Sequence, residues 1–343
     1  MVVAAQASVP ETMSAAVLRG VGDLVVESRP VPEPGRGEVL VRVGSVGLCG
    51  SDVHYYRHGR IGEHVVREPL ILGHEAGGTI VAVGPGADPE RLGSRVSLEP
   101  GVPCRRCEQC RTGSYHLCPQ VRFFATPPVD GAFCEYVAHD ADFTYAVPGG
   151  VSDDAAGLLE PLSVGIWACR KAAVTTGSRV LVAGAGPIGI ATVQAARAAG
   201  AATVVVTDIA AERLDSAGRL GATETRPADA AVADVRPGAF IDCSGAAGAV
   251  QAGVAAVRPG GRAVLVGLGA DTVSLPTAAV QQREVTVCGT FRYANTWPTA
   301  IELAASGAVD LDGMVTGRYS LDGVVDAIAA SDDARTVKSV VRP

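Results

Sequence analysis

Two patterns of apolar and polar positions divide the chain near residue 158. Between about Met13 and Pro148, apolar runs of four to six residues alternate with polar positions and are broken by Gly and Pro, as in residues 38–43 and 78–83. Short strands with frequent turn signals are typical of an all-β, barrel-like unit. The first part of the chain is therefore predicted to be a β domain.

From residue 179 onward, continuous apolar strands alternate with Ala-rich helical segments. The helices are predicted to begin at Ile188, Ala210 and Ala247. Buried strands that alternate with helices favour a parallel sheet covered on both faces, which is a doubly wound fold. Five strands are predicted in this part of the chain, at residues 179–183, 203–207, 240–243, 262–266 and 284–288.

Together the two patterns predict an α/β protein of two domains, which suits a length of 343 residues at roughly 100–200 residues per domain. We expect a β-barrel domain at residues 13–160, completed by residues 291–343 because the chain returns to shorter mixed elements there. A doubly wound domain is expected at residues 161–290. Met13 is a candidate start of the protein, so residues 1–12 are expected to be an unstructured extension.

Composition then excludes several classes of function. With 48% hydrophobic residues the chain can form full cores, so it is neither disordered nor a small disulfide-stapled protein. A net charge of −7 argues against general nucleic-acid binding. No apolar stretch reaches the roughly 18 residues of a transmembrane helix, and the N-terminal residues lack the pattern of a signal peptide. Only Lys171 and Lys338 are lysines among 29 basic residues, which disfavours Schiff-base or lysine-base catalysis.

The chain has nine cysteines. An odd number without a signal peptide indicates the reducing cytoplasm, where clustered cysteines are more often metal ligands than disulfides. Cys104, Cys107, Cys110 and Cys118 form the pattern C-x2-C-x2-C-x7-C. Four thiolates at this spacing can close a tetrahedral zinc site without an open position, which predicts a structural zinc. The alternative is an iron–sulfur cluster, although the x7 gap lacks the ferredoxin continuation.

The strand at residues 179–183 leads directly into Gly184-Ala185-Gly186-Pro187-Ile188-Gly189, and a helix follows. In a G-x-G-x-x-G turn the first glycine allows the tight turn, the second lets the backbone approach a pyrophosphate, and the third permits close helix–strand packing. The helix N-terminus offers free N–H groups to the phosphates. A dinucleotide site is therefore predicted, the alternative being a chance glycine turn in a chain with 42 glycines.

The second predicted strand leads to Asp208, 19 residues after Gly189. An acidic residue there can accept hydrogen bonds from the ribose hydroxyls and repel a 2′-phosphate, so NAD is predicted rather than NADP. Arg213 is the argument for NADP, because an arginine can accommodate a 2′-phosphate. Three further residues are candidate cofactor contacts: Val266, Leu268 and Phe291.

A looser set of metal-ligating residue types consists of Cys49, His74, Glu75 and Glu160. Taken singly, such residues have ordinary explanations, since a lone cysteine is usually a small buried residue and a lone loop histidine is usually polar surface. Their spacing alone does not show that they converge.

The motifs around these residues resemble a known family. Residues 73–78, the four cysteines, Glu160-Pro161-Leu162 and the glycine turn occur in this order in zinc-dependent medium-chain dehydrogenases, which the chain resembles from Met13 to Pro343. The resemblance implies a GroES-like β-barrel catalytic domain and a Rossmann NAD-binding domain. Further segments resemble the sorbitol (polyol) dehydrogenase branch, at residues 49–56, 58–62, 125–131 and 291–298.

By this resemblance, Cys49, His74 and Glu75 hold a catalytic zinc together with a water, and Glu160 lies beside or on the metal. Ordinary alcohol dehydrogenases of the superfamily have a cysteine near the position of Glu160, and a carboxylate there matches the polyol branch. Which of the two glutamates is the direct ligand stays open. Two zinc ions per chain are implied, one catalytic and one structural.

The resemblance also implies residues for proton transfer and substrate binding. The substrate proton is expected to leave through water and Glu160, or through Ser51 toward the nicotinamide ribose and His54. The alternative for His54 is an ordinary exposed loop histidine. A structural salt bridge is the alternative for Arg292, and plain core positions are the alternative for the two phenylalanines. Besides Glu160, the expected substrate contacts are Tyr55, Phe123, Phe124, Arg292 and Tyr293.

These expectations combine into zinc-dependent oxidation of a secondary alcohol of a polyol to a ketose, with hydride transfer to NAD. The alternatives are the same chemistry on an idonate-like sugar acid, a cyclic polyol or threonine, and, in another class, a non-catalytic NAD-binding sensor. The expected partner is a small polyol, with no nucleic acid and no membrane. The resemblance further suggests a cytoplasmic homo-tetramer, with the strand at residues 284–288 as a candidate for pairing across an interface.

Overall fold

The computed structural model describes residues 9–343, and these form two compact units. The first unit runs to Glu160 and also includes Val315–Pro343, whereas the second unit is Pro161–Met314. Residues 1–8 of the predicted unstructured extension lie outside the described residues. The last residue of that extension, Thr12, already belongs to the first strand.

Short strands dominate the first part of the chain, as its short apolar runs predicted. Its elements are β1 (Thr12–Gly20), β2 (Asp23–Pro30), β3 (Glu38–Gly47), α1 (Gly50–His58), β4 (Arg60–Ile61), β5 (His64–Val65), β6 (Leu70–Ile71), β7 (Glu75–Val83), β8 (Arg95–Leu98), β9 (Gly101–Val102), α2 (Glu108–Arg111), β10 (Arg122–Phe123), β11 (Tyr136–Asp140), β12 (Thr144–Ala146) and α3 (Asp153–Lys171).

Strands and helices alternate in the next part of the chain. Its elements are β13 (Arg179–Ala183), α4 (Pro187–Ala198), β14 (Thr203–Asp208), α5 (Ala211–Arg219), β15 (Glu224–Pro227), β16 (Ala239–Asp242), α6 (Ala247–Ala256), β17 (Arg262–Leu265), α7 (Thr277–Gln282), β18 (Thr286–Gly289) and α8 (Trp297–Ala305). The last elements, which belong to the first unit, are β19 (Val315–Ser320), α9 (Val324–Ala330) and β20 (Lys338–Arg342).

A seven-stranded sheet forms the main layer of the first unit, in the order β12-β8-β7-β3-β20-β19, with β11 also paired to β3. Strands β3 and β7 are antiparallel, and their register places Gly47 opposite Glu75. Strand β20 pairs with β3 at the same end, where Val340 lies opposite Gly47. The C-terminal strand therefore lies beside the end of β3 that leads to Cys49.

The position of each strand in its sheet explains its sequence pattern. Strand β3 has neighbours on both sides, and its residues Val39, Val41 and Val46 are completely buried. Strand β2 is at the edge of a three-stranded sheet in the order β2-β1-β6, and its positions alternate between exposed and covered. Such alternation is what one solvated face of an antiparallel sheet produces.

A six-stranded parallel sheet forms the centre of the second unit, in the order β15-β14-β13-β16-β17-β18. The chain moves outward from β13 to β15 and then crosses to β16, so the strand order reverses between β13 and β16. In doubly wound sheets, ligands bind at the carboxyl ends of the strands at this switch point. The predicted doubly wound fold is thus confirmed. No helix of the described part of the chain is long and apolar enough to cross a membrane.

Two features of the second unit differ from the sequence analysis. The edge strand β15 was not predicted, because its residues are mostly exposed and include polar ones. The residues from Phe291 to Met314, predicted to complete the first domain, are grouped with the second unit. They are held there by side chains: Gln194 of α4 accepts the backbone N–H of Asp310 at 2.6 Å, and Arg170 donates to the backbone oxygen of Asn295 at 2.8 Å. Such contacts leave no periodic pattern in the sequence.

Candidate functional site

Asp52 joins the two segments that carry the first candidate metal ligands. Cys49 precedes α1, and its backbone N–H donates to Oδ2 of Asp52 at 2.9 Å. The other oxygen, Oδ1, accepts the backbone N–H of Gly73 at 2.9 Å, directly before His74. Asp52 is completely buried, so water does not compete for these bonds. The start of α1 and the β6–β7 connection are thereby fixed to each other, a role that the sequence analysis did not assign to Asp52.

The candidate ligand atoms of Cys49, His74 and Glu75 lie within 4.8 Å of one another. Glu75 is completely buried and His74 is 7% exposed. A thiolate, an imidazole and a carboxylate are ligands that zinc accepts, and three protein ligands leave one coordination position open. Glu160 of α3 is also buried, but the group formed among the described residues does not include it.

Negative charge dominates this group. Burial by itself lowers the pKa of His74, but the Cys49 thiolate, Asp52 and Glu160 more than offset burial and raise that pKa to about 10. A cluster that holds a proton so strongly is short of positive charge, and a divalent cation can supply that charge while displacing the proton. Both the donor set and its charge balance therefore fit a zinc ion.

A buried lysine lies against Glu75. Nζ of Lys338 donates to Oε1 of Glu75 at 2.6 Å and lies 2.6 Å from Oε2. It also donates to the backbone oxygen of Leu48 at 2.8 Å. The sequence pattern predicted no role for Lys338, since lysine was considered there only as a base or a Schiff-base former. The scarcity of lysine in this arginine-rich chain is the one signal that could have drawn attention to it.

Gly47 makes room for the Glu75 carboxylate. The two residues lie opposite each other on β3 and β7. A Cβ atom at Gly47 would overlap Oε2 of Glu75 and would lie 3.0 Å from Cδ2 of Leu158. A glycine within a strand often marks such a close approach. The carboxylate is therefore confined on one side by the backbone of β3.

The four cysteines form a second candidate metal site, within a lobe at residues 104–118. Their sulfur atoms lie within 4.8 Å of one another. Two measured separations are 3.4 Å for Cys107–Cys110 and 4.0 Å for Cys104–Cys110. Four sulfurs around one zinc at about 2.3 Å would be separated by roughly 3.8 Å. The four sulfur atoms would therefore need to move little to form a closed tetrahedral site around a zinc ion.

Backbone groups provide much of the charge stabilisation in this lobe. The N–H groups of Arg106 and Cys107 lower the pKa of the Cys104 thiol to about 6. Desolvation and the neighbouring thiols raise the pKa of Cys110 to about 12. A bound divalent cation favours the thiolate at every ligand. Among the five other cysteines, Cys134 and Cys169 are buried, and Cys49, Cys243 and Cys288 are half-buried.

Glu99 and Arg105 link this lobe to the neighbouring strands. Tyr115 of the lobe donates to Oε1 of Glu99 at 2.7 Å, and Tyr145 donates to Oε2 at 3.1 Å. Arg105 forms an ion pair with Asp140 at 2.7 Å. Glu99 is 1% exposed, and burial raises its pKa to about 7 despite the two hydrogen bonds. Neither residue was predicted from the sequence to have a role.

The glycine turn has the geometry that its sequence predicts. Gly184 directly follows β13 with φ +93°, a left-handed conformation that glycine adopts without strain. A Cβ atom at Gly189 would overlap the backbone oxygen of Gly184, whereas one at Gly186 would meet open space. Gly186 precedes α4, whose first residue is Pro187 and whose N-terminus has no side-chain cap. Free N–H groups at that N-terminus suit a pyrophosphate.

Asp208 lies at the end of β14 and is bound to this turn. Its Oδ2 accepts the backbone N–H of Ala185 at 2.7 Å, and its Oδ1 accepts that of Ala210 at 2.9 Å. Each carboxylate oxygen retains a further lone pair that can accept from a ribose hydroxyl. Arg213 lies in α5 and is half-buried. The candidate cofactor contacts Leu268 and Phe291 are strongly exposed, at 85% and 55%, and Val266 is half-buried after β17.

The remaining predicted residues of the first unit differ in their surroundings. Phe123 packs against His74 with ring centroids 5.7 Å apart, so it lies beside a candidate ligand. Phe124 packs against His139 instead, at 4.6 Å, within the hydrophobic core. Tyr55 is buried in α1. In the same helix, Ser51 is half-buried and His54 is exposed. The rings of His54 and His58 lie 4.6 Å apart, measured between their centroids.

Arg292 and Tyr293 lie in the second unit. Arg292 has φ +52° and its guanidinium lies 4.7 Å from the ring centroid of Phe291. Tyr293 is 2% exposed and packs against Trp297, with ring centroids 5.3 Å apart. Their contacts with a substrate stay predictions.

Two family models match the chain. The model of the alcohol dehydrogenase GroES-like domain matches residues 35–149, and the model described as zinc-binding dehydrogenase matches residues 187–306. Sorbitol dehydrogenase of Gallus gallus is 46% identical to this chain over 339 residues, and the alignment covers 96% of each protein. Both predicted domain types are therefore confirmed.

Two solved structures are similar over almost the whole chain. An alcohol dehydrogenase of Escherichia coli CFT073, solved with NADH, has a TM-score of 0.91 and 28% sequence identity, covering 97% of this chain and 100% of its own. L-idonate 5-dehydrogenase of Escherichia coli K-12 also has a TM-score of 0.91, with 26% identity and coverages of 97% and 98%.

Proposed function

This chain belongs to the zinc-dependent medium-chain dehydrogenases, and we propose that it oxidises a secondary alcohol of an open-chain polyol to a ketose with NAD. The observation that carries the proposal is the convergence of Cys49, His74 and Glu75 in a chain that is 46% identical to a sorbitol dehydrogenase. A non-catalytic NAD-binding protein would not need a buried ligand set with one open position.

The metal would be held by Cys49, His74 and Glu75, with Glu160 beside it. When bound, zinc supplies Lewis acidity at the substrate hydroxyl and NAD accepts the hydride. The second zinc of the chain would be held by the four cysteines, where no open position remains. Two zinc ions per chain follow from this assignment.

Glu160 and Ser51 are the residues proposed to receive the substrate proton. Two observations support Glu160 in this role: its side chain is buried, and its charge raises the pKa of His74. Ser51 lies between Cys49 and the exposed His54 on α1, so the hydroxyl and the imidazole offer a second route toward solvent. Either route lets the alcohol lose its proton before hydride transfer.

Substrate contacts are proposed for six side chains. Phe123 would form an apolar surface beside His74, and Tyr55 would offer its hydroxyl. Arg292 has five N–H donors, which suit several hydroxyls of one polyol. Tyr293, Phe124 and Glu160 complete the proposed set.

NAD is proposed over NADP because Asp208 presents a carboxylate at the glycine turn. Its two bonds to backbone N–H groups fix it there, and a 2′-phosphate would be repelled. Replacing Asp208 by Ser should weaken NAD binding and raise the relative rate with NADP. An unchanged ratio of kcat/KM values for the two cofactors would contradict the assignment.

Four further side chains are proposed as cofactor contacts: Phe291, Leu268, Val266 and Arg213.

A cytoplasmic homo-tetramer is proposed for the assembly. All nine cysteines are free thiols, which suits a reducing compartment. Strand β18 is at the edge of the six-stranded sheet, where a second copy could continue the hydrogen bonding. Sedimentation equilibrium would measure the mass of the assembly.

A second candidate substrate class is a sugar acid. It is favoured by one specific observation, the similarity to L-idonate 5-dehydrogenase over 97% of the chain. Both classes present a secondary alcohol next to further hydroxyls, so the same metal site would serve either.

A substrate panel tests the proposal. Initial rates with NAD should be highest for sorbitol or xylitol and lower for L-idonate, inositol and threonine. The variant Glu160→Gln should lower kcat sharply while its zinc content stays at the wild-type value. Turnover of L-idonate above that of every polyol would replace the proposed substrate class, and absence of turnover with all of them would favour the non-catalytic alternative.

A further inference from the structure

An ammonium group occupies one edge of the Glu75 carboxylate. Nζ of Lys338 lies 2.6 Å from each of the two carboxylate oxygens. A cation at equal distances from both oxygens lies on the edge between them, which is the edge that a metal ion uses when it binds a carboxylate through two oxygens. A metal can then reach Glu75 only through an outer lone pair of one oxygen.

Hydrogen bonds to Leu48 hold both the side chain of Lys338 and the adjoining backbone of β20 in this position. Its Nζ donates to the backbone oxygen of Leu48 at 2.8 Å, and the backbone N–H of Leu48 donates to Ser339 at 3.0 Å. The lysine side chain is 1% exposed, so water cannot replace Glu75 as its partner. Withdrawing the ammonium would leave two buried charges unpaired, which is strongly unfavourable.

Glu75 is equally confined. Its side chain is 1% exposed and faces the backbone of Gly47, where even a methyl group would overlap Oε2. The carboxylate therefore cannot turn away from Lys338 toward solvent. The ion pair connects β7 to β20 across 263 residues of sequence.

We propose that Lys338 is a positioning residue that restricts Glu75 to binding the catalytic metal through a single oxygen. This inference rests on the metal site proposed above. A carboxylate bound through two oxygens would take up an additional coordination position beside Cys49 and His74. Restricting Glu75 to one oxygen keeps that position available for the substrate hydroxyl.

Variants at Lys338 separate this role from simple charge compensation. Lys338→Met removes the ammonium but keeps an unbranched side chain, so both carboxylate oxygens become available to a metal. Lys338→Arg keeps a cation, whose planar fork can donate to both oxygens. Lys171→Met removes the only other lysine of the chain, which lies at the end of α3, and is the matched control.

The experiment uses the full-length protein with its metal replaced by Co²⁺, whose visible absorption bands weaken as the coordination number rises above four. Spectra are recorded without substrate. We expect weaker bands for Lys338→Met and wild-type bands for Lys338→Arg and Lys171→Met. Cobalt in the four-cysteine lobe contributes equally to all variants and cancels in the difference spectra.

Kinetics of the zinc forms provide the second measurement. We expect kcat of Lys338→Met to fall about 10–100-fold, the usual range when a partner of a metal ligand is lost. KM for the polyol should change far less, and Lys338→Arg should restore most of kcat. A structural role alone would lower stability without changing the cobalt spectrum.

Wild-type cobalt bands in a folded, fully loaded Lys338→Met protein would overturn the inference. If that variant does not fold, Lys338→Gln, which is neutral and shorter, provides the same comparison with the same expected loss of intensity. The spectrum requires no substrate. Altered bands in an enzyme that turns over no polyol would therefore reject the proposed substrate while leaving the role of Lys338 intact.

Discussion

The two candidate metal sites of the first unit are built in opposite ways. The lobe supplies four ligands of one kind from the 15 residues between Cys104 and Cys118. The other site takes Cys49 from the start of α1 and His74 and Glu75 from the start of β7, and it depends on three residues that bind no metal: Gly47, Asp52 and Lys338. The difference shows that a local sequence motif supplies every ligand of the closed site, whereas the open site also needs residues from distant segments.

Charge is balanced differently at the two sites. In the lobe, backbone N–H groups stabilise the thiolate form of Cys104. At the open site, three buried carboxylates and the half-buried Cys49 sulfur face one buried histidine and one buried lysine. Backbone donors come with any suitable turn, but charged partners must be supplied by particular side chains. Substitutions outside the ligand set should therefore harm the open site most.

Replacing Gly47 by Ala should have the largest effect on turnover. The added methyl group overlaps Oε2 of Glu75, so the carboxylate must move. A displacement of about 1 Å at a catalytic site can cost about 100-fold in rate, and we expect a loss of kcat/KM of at least that size. Zinc in the lobe should be retained. Gly149→Ala, whose methyl group meets no atom within 4 Å, is the control; wild-type rates for Gly47→Ala would show that Glu75 is not confined.

Replacing Asp52 by Ala should weaken zinc binding at the open site by about 10–100-fold, because it removes the two bonds that fix Cys49 and Gly73. Asp52→Asn keeps one acceptor oxygen and should be intermediate. Competition with a chelator measures the affinity of each site. Equal weakening of both sites would mean that Asp52 supports the unit as a whole.

Cys107→Ser should affect stability more than catalysis. The lobe should lose its zinc, and the melting temperature should fall. The remaining zinc should still support a kcat within about twofold of wild type, since closed sites contribute folding energy and not an open coordination position. Metal analysis and thermal unfolding measure both effects. Loss of turnover in a folded variant with one zinc would show that the two sites are coupled.

The smallest effect on turnover is expected at Glu99, which connects the lobe to the strands and makes stability depend on pH. Its pKa is raised from 4.5 to about 7 by burial, so its protonated form is favoured in the folded state. The stabilisation from Glu99 is then complete below about pH 4.5 and is lost as the pH rises through about 7. The loss is at most about 3.5 kcal/mol, because one pKa unit corresponds to about 1.4 kcal/mol.

Glu99→Gln should remove this dependence. Chemical denaturation of both proteins between pH 5 and 8, at the same zinc concentration, measures it. We expect wild type to lose stability relative to the variant as the pH rises. Parallel curves would show that Glu99 stays ionised throughout.

Local sequence signals predicted the second unit with small errors. Strand β13 matches the predicted residues 179–183, and α6 begins at Ala247 as predicted. A buried strand of a parallel sheet is a continuous apolar run, and a glycine turn follows it within a few residues. The edge strand β15 lacks that apolar run. Residues 291–314 join the second unit through buried apolar side chains such as Trp297 and through polar contacts such as that between Gln194 and Asp310, and the sequence pattern does not show which unit such residues face.

The sequence by itself determined the four-cysteine lobe, the glycine turn with Asp208, and the alternation of strands and helices, because each depends on residues close together in the chain. Only the tertiary structure decided that Lys338 meets Glu75 and that Asp52 joins Cys49 to Gly73. The physical reason is that a buried charge must be paired, but its partner can come from any segment that the fold brings near. Neither the period of apolar positions nor the spacing of motifs shows which segment supplies the partner.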